Sequence, residues 1–220
     1  KQSHVARLNI SLDTLNAQKF TELTRTGDLE TVLKGIHTAV NTGFQAIKIN
    51  AVILKNRNDD EVVDLVLFAQ DLGIDISFIE EMPLGLINSH DRAETYYSSD
   101  QIKADLDAHF NLQKITDKTA GPSDYYRIQG SKTKVGFISP HSHNFCSTCN
   151  RVRLTAEGRL LLCLGNEHSV DLKSIMRDKN SDTDAIKQVI IDAMQIKPEQ
   201  HEFDLTEQPI IMRHMNSTGG

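Results

Sequence analysis

The three cysteines of this chain lie close together in its C-terminal half, at a spacing that suits metal binding. Cys146 and Cys149 form a Cys-x2-Cys pair, and Cys163 follows later in the chain. A Cys-x2-Cys pair presents two thiolates to one metal centre, and a hairpin can return a third to the same place. The sequence therefore predicts a metal or iron–sulfur site formed by these three side chains.

The chain between the second and third cysteines is typical of a β-hairpin. Ala156 to Gly158 separates two strand-like runs, and glycine is suited to a left-handed position in such a loop. A three-residue loop places Cys163 opposite Arg151 across the hairpin. Because side chains alternate along a strand, we expect Arg151, Arg153 and Cys163 to share one face.

Three thiolates leave a fourth position open, and two kinds of site remain possible. In a structural zinc site, His141, His143 or His168 would supply the fourth ligand. In a [4Fe-4S] cluster, three cysteines hold three irons and the fourth iron stays open for a substrate or cofactor. The nearby Arg151 and Arg153 favour the open cluster, because forked guanidinium donors suit an anionic phosphate ligand. A solvated strand face is the alternative for both arginines.

Composition limits the function classes. The chain has 220 residues, 39% of them hydrophobic, and a formal net charge of -6, so no basic surface predicts nucleic-acid binding. No apolar run approaches the roughly 20 residues that cross a membrane, and we expect no membrane partner. An odd number of cysteines suits a reducing compartment better than a disulfide framework, which predicts a cytoplasmic protein.

The first 85 residues alternate strand-like and helical patterns. Strands are predicted at 6–12, 46–54 and 74–79, with helices between them and a capping-box pattern at Asn58-x-x-Glu61. This order predicts a parallel α/β sheet with right-handed crossovers. Polar residues near the carboxyl ends of such strands are ligand-binding candidates, here Lys48, Asn50 and Glu80. Solvated strand ends or local ion pairs are the alternative for each.

The pattern changes after Gly85. A helix capped by Ser98 runs to about Phe110, and short strands are predicted at 125–128, 135–138, 151–155 and 159–164. Helices are predicted from about Asp171 and from about 184 to 194. We therefore predict two domains, 1–85 and 86–220, the second being an α+β region that carries the cysteine site.

These motifs together resemble the GTP 3′,8-cyclase family, radical-SAM enzymes that begin molybdenum cofactor biosynthesis. The segment 145–158 with Cys163 is similar to the family's C-terminal cluster region. The resemblance also covers 9–15, 27–32, 47–50, 58–61, 78–85 and the terminal Gly219-Gly220, and so extends over essentially the whole chain.

The resemblance implies a role for each matching residue. Cys146, Cys149 and Cys163 would hold a [4Fe-4S] cluster whose open iron binds guanine. GTP contacts fall on Lys48, Arg151, Val152 and Arg153, and S-adenosylmethionine contacts fall on Ser11 and Met82. Gly219 and Gly220 would reach into the active site and act in catalysis. The implied reaction is that of a lyase, which converts GTP to 3′,8-cyclo-7,8-dihydro-GTP by radical chemistry. A different radical-SAM enzyme with an auxiliary cluster is the alternative, and Arg151-x-Arg153 and the Gly-Gly tail argue against it.

Two departures from the family pattern matter. The family's N-terminal Cys-x3-Cys-x2-Cys, which holds the radical-generating [4Fe-4S] cluster, is absent, and Ser77 stands where many members have arginine. The chain is therefore interpreted as a C-terminal portion, with the last three strands of a partial radical-SAM (β/α) barrel. An electron donor, a downstream cyclic pyranopterin monophosphate synthase and a homodimer are further implied partners.

Overall fold

A computed structural model describes residues 4–117, 121–179, 181–207, 209 and 211–218. Contacts divide the chain into two compact units. The first contains the described residues of Lys1–Glu81 and Glu94–Asn144, and the second those of Met82–Ala93 and Phe145–Gly220. This division differs from the predicted 1–85 and 86–220, because residues after 94 add strands to the first unit's sheet. The predicted domain assignment itself stays a prediction.

The first unit is a six-stranded sheet with helices. Its strands are β1 (Arg7–Ser11), β2 (Ala46–Val52), β3 (Asp75–Ile79), β4 (Leu112–Lys114), β5 (Asp124–Ile128) and β6 (Lys134–Ile138). Its helices are α1 (Ala17–Thr24), α2 (Leu29–Thr42), α3 (Val62–Asp71) and α5 (Ser99–Asp107), and the short α4 (Arg92–Thr95) has residues in both units. The strand order is β1-β2-β3-β6-β5-β4.

The sheet is parallel on one side and antiparallel on the other. β1, β2, β3 and β6 pair in parallel, whereas β5 and β4 add antiparallel strands at the far edge. The prediction of three parallel strands joined by helices is confirmed. Strand β4 was not predicted, because its three residues are too short to show a period-two pattern.

Local signals explain several helix boundaries. Asp28 begins α2 by accepting a hydrogen bond from the Thr31 N–H at 3.0 Å, and Gly43 ends it with a φ of 73°. Ser98 and Gln101 form a reciprocal capping box at the start of α5. The start of α5 at Ser98 is as the sequence predicts.

The capping box predicted at Asn58-x-x-Glu61 is wrong. Neither side chain caps a helix; both bind the chain that follows β1. Asn58 Nδ2 donates to the carbonyl of Asp13 at 2.7 Å, and Glu61 accepts from the hydroxyl of Thr14 at 2.6 Å and the N–H of Leu15 at 2.7 Å. Tertiary contacts therefore use the polar groups that the local pattern assigned to a cap.

The two faces of the sheet differ in polarity. Side chains on one face form the core with the helices, and they include Ile47, Ile49, Ala51, Ile76, Phe78, Val135 and Phe137. Period-two alternation places Lys48, Asn50, Ser77 and Tyr125 on the other face, with Gly136 between the last two. We call this set the polar face. Parallel sheets are usually apolar on both faces, so a polar face indicates a lining for a ligand.

The second unit is smaller. Its strands β7 (Arg153–Leu154), β8 (Arg159–Leu161) and β9 (Ser169–Asp171) form an antiparallel sheet, and its helices are α6 (Leu172–Arg177) and α7 (Thr183–Gln195). A small core joins Leu160, Leu162, Leu172 and Ala193. The strands predicted at 151–155 and 159–164 are shorter than expected, and β9 was not predicted. Of the described residues, no helix has the length and apolarity needed to span a membrane.

Candidate functional site

The cysteine hairpin has the predicted register. Arg153 pairs with Leu161, and the Thr155 N–H donates to the Arg159 carbonyl at 2.9 Å, which leaves a three-residue loop. Gly158 closes this loop with a φ of 83°, a conformation that favours glycine. The predicted three-residue loop is therefore confirmed.

Burial alternates along the first strand of the hairpin. Arg151 and Arg153 are partly buried, whereas Val152 and Leu154 are 39% and 63% exposed on the opposite side. Continuing the observed register by two further pairs brings Cys163 opposite Arg151. The two arginines and this cysteine are thus directed to the same face, as the loop length predicts.

The cysteines are reduced and partly buried. The Arg151 guanidinium donates to Cys149 Sγ at 3.5 Å. Burial pushes the pKa of the Cys149 thiol upward, but hydrogen bonds and charge from Arg151, together with the charge of Lys197, leave that pKa below its usual range. Thiolate is the form that binds metals, so this environment favours ligation.

The third cysteine responds to the other two. Burial raises the pKa of the Cys163 thiol, and the negative charges of Cys146 and Cys149 raise it further, against the effects of the Gly165 N–H and Lys197. Both members of the Cys-x2-Cys pair thus act on the ionisation of Cys163. In the described part of the chain, no three or more His, Cys, Asp or Glu side chains are arranged to hold a metal ion.

Two guanidinium groups lie beside the cysteines. Arg151 stacks over the Phe145 ring at 4.9 Å, and Arg153 donates to the Thr218 carbonyl at a long 3.5 Å. Burial and the charge of Arg151 lower the pKa of Arg153, although an arginine in a protein remains charged. Within the described residues, neither arginine pairs with a carboxylate, so this double positive charge suits an anionic ligand.

The resemblance also assigns Met82 of the second unit, together with Gly219 and Gly220, to the active site. Met82 is partly buried, and its carbonyl accepts from the Leu84 N–H at 2.8 Å. Gly219 and Gly220 lie outside the described residues. The chain just before them ends in a 3₁₀ turn, Met215–Thr218, whose last carbonyl is the one that Arg153 contacts.

In the first unit, Lys48 lies at the centre of the polar face. Its ammonium is 3.3 Å from the Tyr125 hydroxyl and 5.8 Å from the centroid of the same ring. Ser11 ends β1, is exposed, and lies opposite Asn50 in the parallel register. These contacts leave Lys48 partly exposed and positioned by an aromatic side chain rather than by a carboxylate.

The rest of the polar face is closely packed. The buried Oδ1 of Asn50 has no hydrogen-bond partner within the described residues. Ser77, which stands where many family members have arginine, is fully buried, and its hydroxyl is 3.2 Å from that of Ser123. A Cβ on Gly136 would lie 2.5 Å from the Ser77 hydroxyl, so this packing requires glycine there.

Glu80, a ligand-binding candidate on sequence grounds, anchors the protein chain. Its side chain is fully buried and accepts from the N–H groups of Ser99 at 2.8 Å, His141 at 2.9 Å and Ser142 at 3.1 Å, and from the Ser142 hydroxyl. Burial raises the pKa of Glu80, but these hydrogen bonds outweigh it and lower the pKa. The carboxylate is thus committed to the backbone.

Two of the histidines considered for zinc have other contacts. His141 Nε2 lies 2.9 Å from the Glu81 carbonyl, and His143 Nε2 lies 2.8 Å from an Asp100 carboxylate oxygen. The backbone N–H of His168 donates a hydrogen bond to Asn166 Oδ1 at 2.8 Å.

Sequence reasoning missed three residues that organise the candidate sites. Lys197 contacts both arms of the cysteine hairpin, Tyr125 positions Lys48, and Asn58 ties the chain after β1 to the end of β2. Each contacts at least one residue more than 40 positions away, so no local pattern could reveal it. For Asn58, the signal in the sequence was its position in the segment 58–61, which resembles a motif of the family.

Comparisons with known proteins agree with this architecture. Residues 74–203 match the Molybdenum Cofactor Synthesis C family, and residues 1–69 match the Radical SAM superfamily. The GTP 3′,8-cyclases of Saccharophagus degradans and Pseudomonas entomophila are 58% and 57% identical to this chain over 216 and 217 residues, 98% of its length. The chain spans 65% of the length of each of these curated relatives. Since the first match covers more than half of its residues, the chain belongs to the Molybdenum Cofactor Synthesis C family.

Proposed function

We propose that the whole protein is a GTP 3′,8-cyclase, which uses S-adenosylmethionine to convert GTP to 3′,8-cyclo-7,8-dihydro-GTP. The present chain would supply the substrate-binding part. The observation that carries the proposal is the pair of guanidiniums, Arg151 and Arg153, on the face of the cysteine hairpin to which Cys163 is directed. Within the described residues, neither guanidinium has a carboxylate partner. A nucleoside triphosphate has the charge and the forked oxygens that such a pair binds.

The three cysteines suit an auxiliary [4Fe-4S] cluster by their chemistry. Cys146 and Cys149 both act on the ionisation of Cys163, and the positive charges of Arg151 and Lys197 act on Cys149. Each thiolate of such a cluster binds a different iron, so the three sulfur atoms need not converge on one point. Cys146, Cys149 and Cys163 would hold the cluster. When bound, it would supply an open iron that orients the guanine base.

In the first unit, β1, β2 and β3 would be the last three strands of a partial radical-SAM barrel, with the polar face lining its interior. Lys48 would contact GTP, and Ser11 and Met82 would contact S-adenosylmethionine. The orphan Oδ1 of Asn50 supports a ligand at this face, because a buried acceptor without a donor is costly.

The chain's own groups would bind and position rather than transfer electrons. Charge-assisted hydrogen bonds from Arg151 and Arg153, with the backbone at Val152, would fix the triphosphate and so the ribose and base. The Gly219-Gly220 tail would complete the active site. Cleavage of S-adenosylmethionine needs a second cluster with its own cysteines and an electron donor.

Measurement of GTP binding tests the substrate assignment. Anaerobically reconstituted protein carrying Arg153→Ala should keep its iron content and bind GTP at least about tenfold more weakly, since one charged hydrogen bond is worth roughly 1.5–3 kcal/mol. Arg159→Ala is the matched control, because Arg159 lies on the same hairpin but is exposed and bonded to Ser169. Unchanged GTP affinity in the Arg153 variant would refute the role.

The whole-protein activity has a separate test. Full-length protein supplied with GTP, S-adenosylmethionine and a reductant should form a product that a cyclic pyranopterin monophosphate synthase consumes. Size-exclusion chromatography would test the homodimer, and fractionation would test the cytoplasmic location. The 220-residue chain has three cysteines, which the auxiliary site uses, and turnover by this chain alone would contradict the two-cluster proposal.

A further inference from the structure

Lys197 joins the two arms of the cysteine hairpin. It follows α7 directly, and its ammonium donates to the Leu162 carbonyl at 2.5 Å and to the Arg151 carbonyl at 3.1 Å. Leu162 immediately precedes Cys163, and Arg151 is two residues beyond Cys149. One side chain from a third segment therefore holds both cysteine-bearing arms.

These bonds lie where the backbone ladder of the hairpin has ended. The last paired residues are Arg153 and Leu161. If the ladder continued in register, the Arg151 carbonyl would face the Cys163 N–H. In this structure the carbonyl accepts from Lys197, so the ammonium fixes the separation of the two arms at the level of the cysteines.

The charge of Lys197 acts at the same place. Its ammonium donates to carbonyls within two residues of Cys149 and Cys163, and within the described residues it forms no ion pair with a carboxylate. Its positive charge therefore lies at the cysteine-bearing ends of both arms, where thiolates and a bound cluster would carry negative charge.

We infer that Lys197 is a positioning residue for the auxiliary cluster, which holds its ligand arms in place and stabilises its more negative, reduced state. This inference rests on the proposed function. It differs from a purely structural role in one measurable respect. A structural brace would change how much iron binds, but a nearby charge also changes the reduction potential of the cluster that does bind.

The experiment compares three variants of the 220-residue chain after anaerobic reconstitution. Lys197→Met removes the charge and the donors at similar size, and Lys197→Arg keeps both. Lys187→Met is the control, because Lys187 is an exposed residue of α7 that pairs with Asp184. Iron and sulfide per chain are measured first, and the reduction potential is then measured by a redox titration followed by electron paramagnetic resonance.

Lys197→Met should lower the reduction potential, because reduction adds negative charge that the ammonium no longer offsets. At a fixed ambient potential we expect about a tenfold smaller ratio of reduced to oxidised cluster, or ~59 mV for a one-electron couple. Lys197→Arg and Lys187→Met should match the unsubstituted chain in both iron content and potential. If Lys197→Met loses iron while Lys197→Arg keeps it, the inference stands only if the clusters that remain in Lys197→Met have the lowered potential.

The contrary outcomes are distinct. An unchanged potential in a fully loaded Lys197→Met chain would overturn the role of Lys197 and leave the cluster proposal standing. Equal loss of iron in both Lys197 variants would also overturn it, since the arginine keeps charge and donors. Failure of the unsubstituted chain to bind iron and sulfide would instead overturn the cluster proposal, and the inference with it.

Discussion

Replacement of Glu80 by glutamine should destabilise the protein strongly, although it changes one oxygen into one amide group. Both oxygens of Glu80 are in use: one accepts from the Ser99 N–H and the Ser142 hydroxyl, and the other from the N–H groups of His141 and Ser142. A glutamine amide NH2 cannot accept a hydrogen bond. Glu80→Gln therefore leaves two donors facing another donor, in a side-chain site that is fully buried.

The expected cost follows from these contacts. A hydrogen bond to a charged group contributes roughly 1.5–3 kcal/mol, so loss of two gives about 3–6 kcal/mol. A typical domain has a free energy of unfolding of about 5–15 kcal/mol, and the variant should thus retain only part of its stability. Urea denaturation followed by circular dichroism at pH 7 measures this difference. Glu30→Gln is the control, because Glu30 is exposed and pairs only with Lys34 one helical turn away.

The effect should also depend on pH. Hydrogen bonding lowers the pKa of Glu80 in the folded protein below the roughly 4.3 of an unfolded chain. A lowered folded-state pKa stabilises the protein above the unfolded value, and this stabilisation is lost as the pH falls through the folded-state pKa. The stability gap between the unsubstituted protein and Glu80→Gln should be constant above about pH 5 and narrow below it.

A different result would refute this account of Glu80. If Glu80→Gln had normal stability but lost GTP or S-adenosylmethionine binding, the carboxylate would be a ligand-binding group rather than an anchor. A stability gap independent of pH would contradict the proposed ionised state.

Two further substitutions test local features of the fold. Gly158→Ala should lower the free energy of unfolding by about 1–3 kcal/mol in urea denaturation, because φ is 83° and the new Cβ would lie 2.6 Å from Lys173 Cβ. Gly35→Ala, in open space within α2, should be neutral or slightly stabilising, and equal effects of the two would contradict the strain. Asn58→Ala should cost roughly 2–4 kcal/mol in the same assay, since it removes three hydrogen bonds of a buried side chain, two of which tie the chain after β1 to the end of β2. Asn111→Ala, which removes one exposed bond to Gln129, should change stability little; a similar loss in both would refute the assigned role of Asn58.

Much of the first unit followed from local pattern. The parallel strands β1 to β3 were predictable because buried runs alternate with amphipathic helices, and the ends at Gly43 and Ser98 carry their own capping chemistry. Continuation of the sheet into β6, β5 and β4 was not predictable. Strand partners across some 60 residues are chosen by packing of the whole core, which leaves little trace in local sequence.

For polar side chains too, local sequence predicted some features and missed their distant hydrogen-bond partners. The motif at Asn58 and Glu61 fits a cap locally, yet its hydrogen bonds go to the chain after β1, more than 40 residues away. Glu80 looks like a ligand-binding strand end, yet three distant N–H groups occupy it. In both cases burial forces each polar group to find a partner, and the fold decides which partner is near.

The sequence by itself determined the cysteine site: the spacing of the thiols, the three-residue loop with Gly158, and the face shared by Arg151 and Arg153. These depend on residues within one hairpin, where turn length and strand alternation set the geometry. Only the tertiary structure brought Lys197 to both arms of that hairpin and Tyr125 to Lys48, because such contacts exist only after helices and strands have packed.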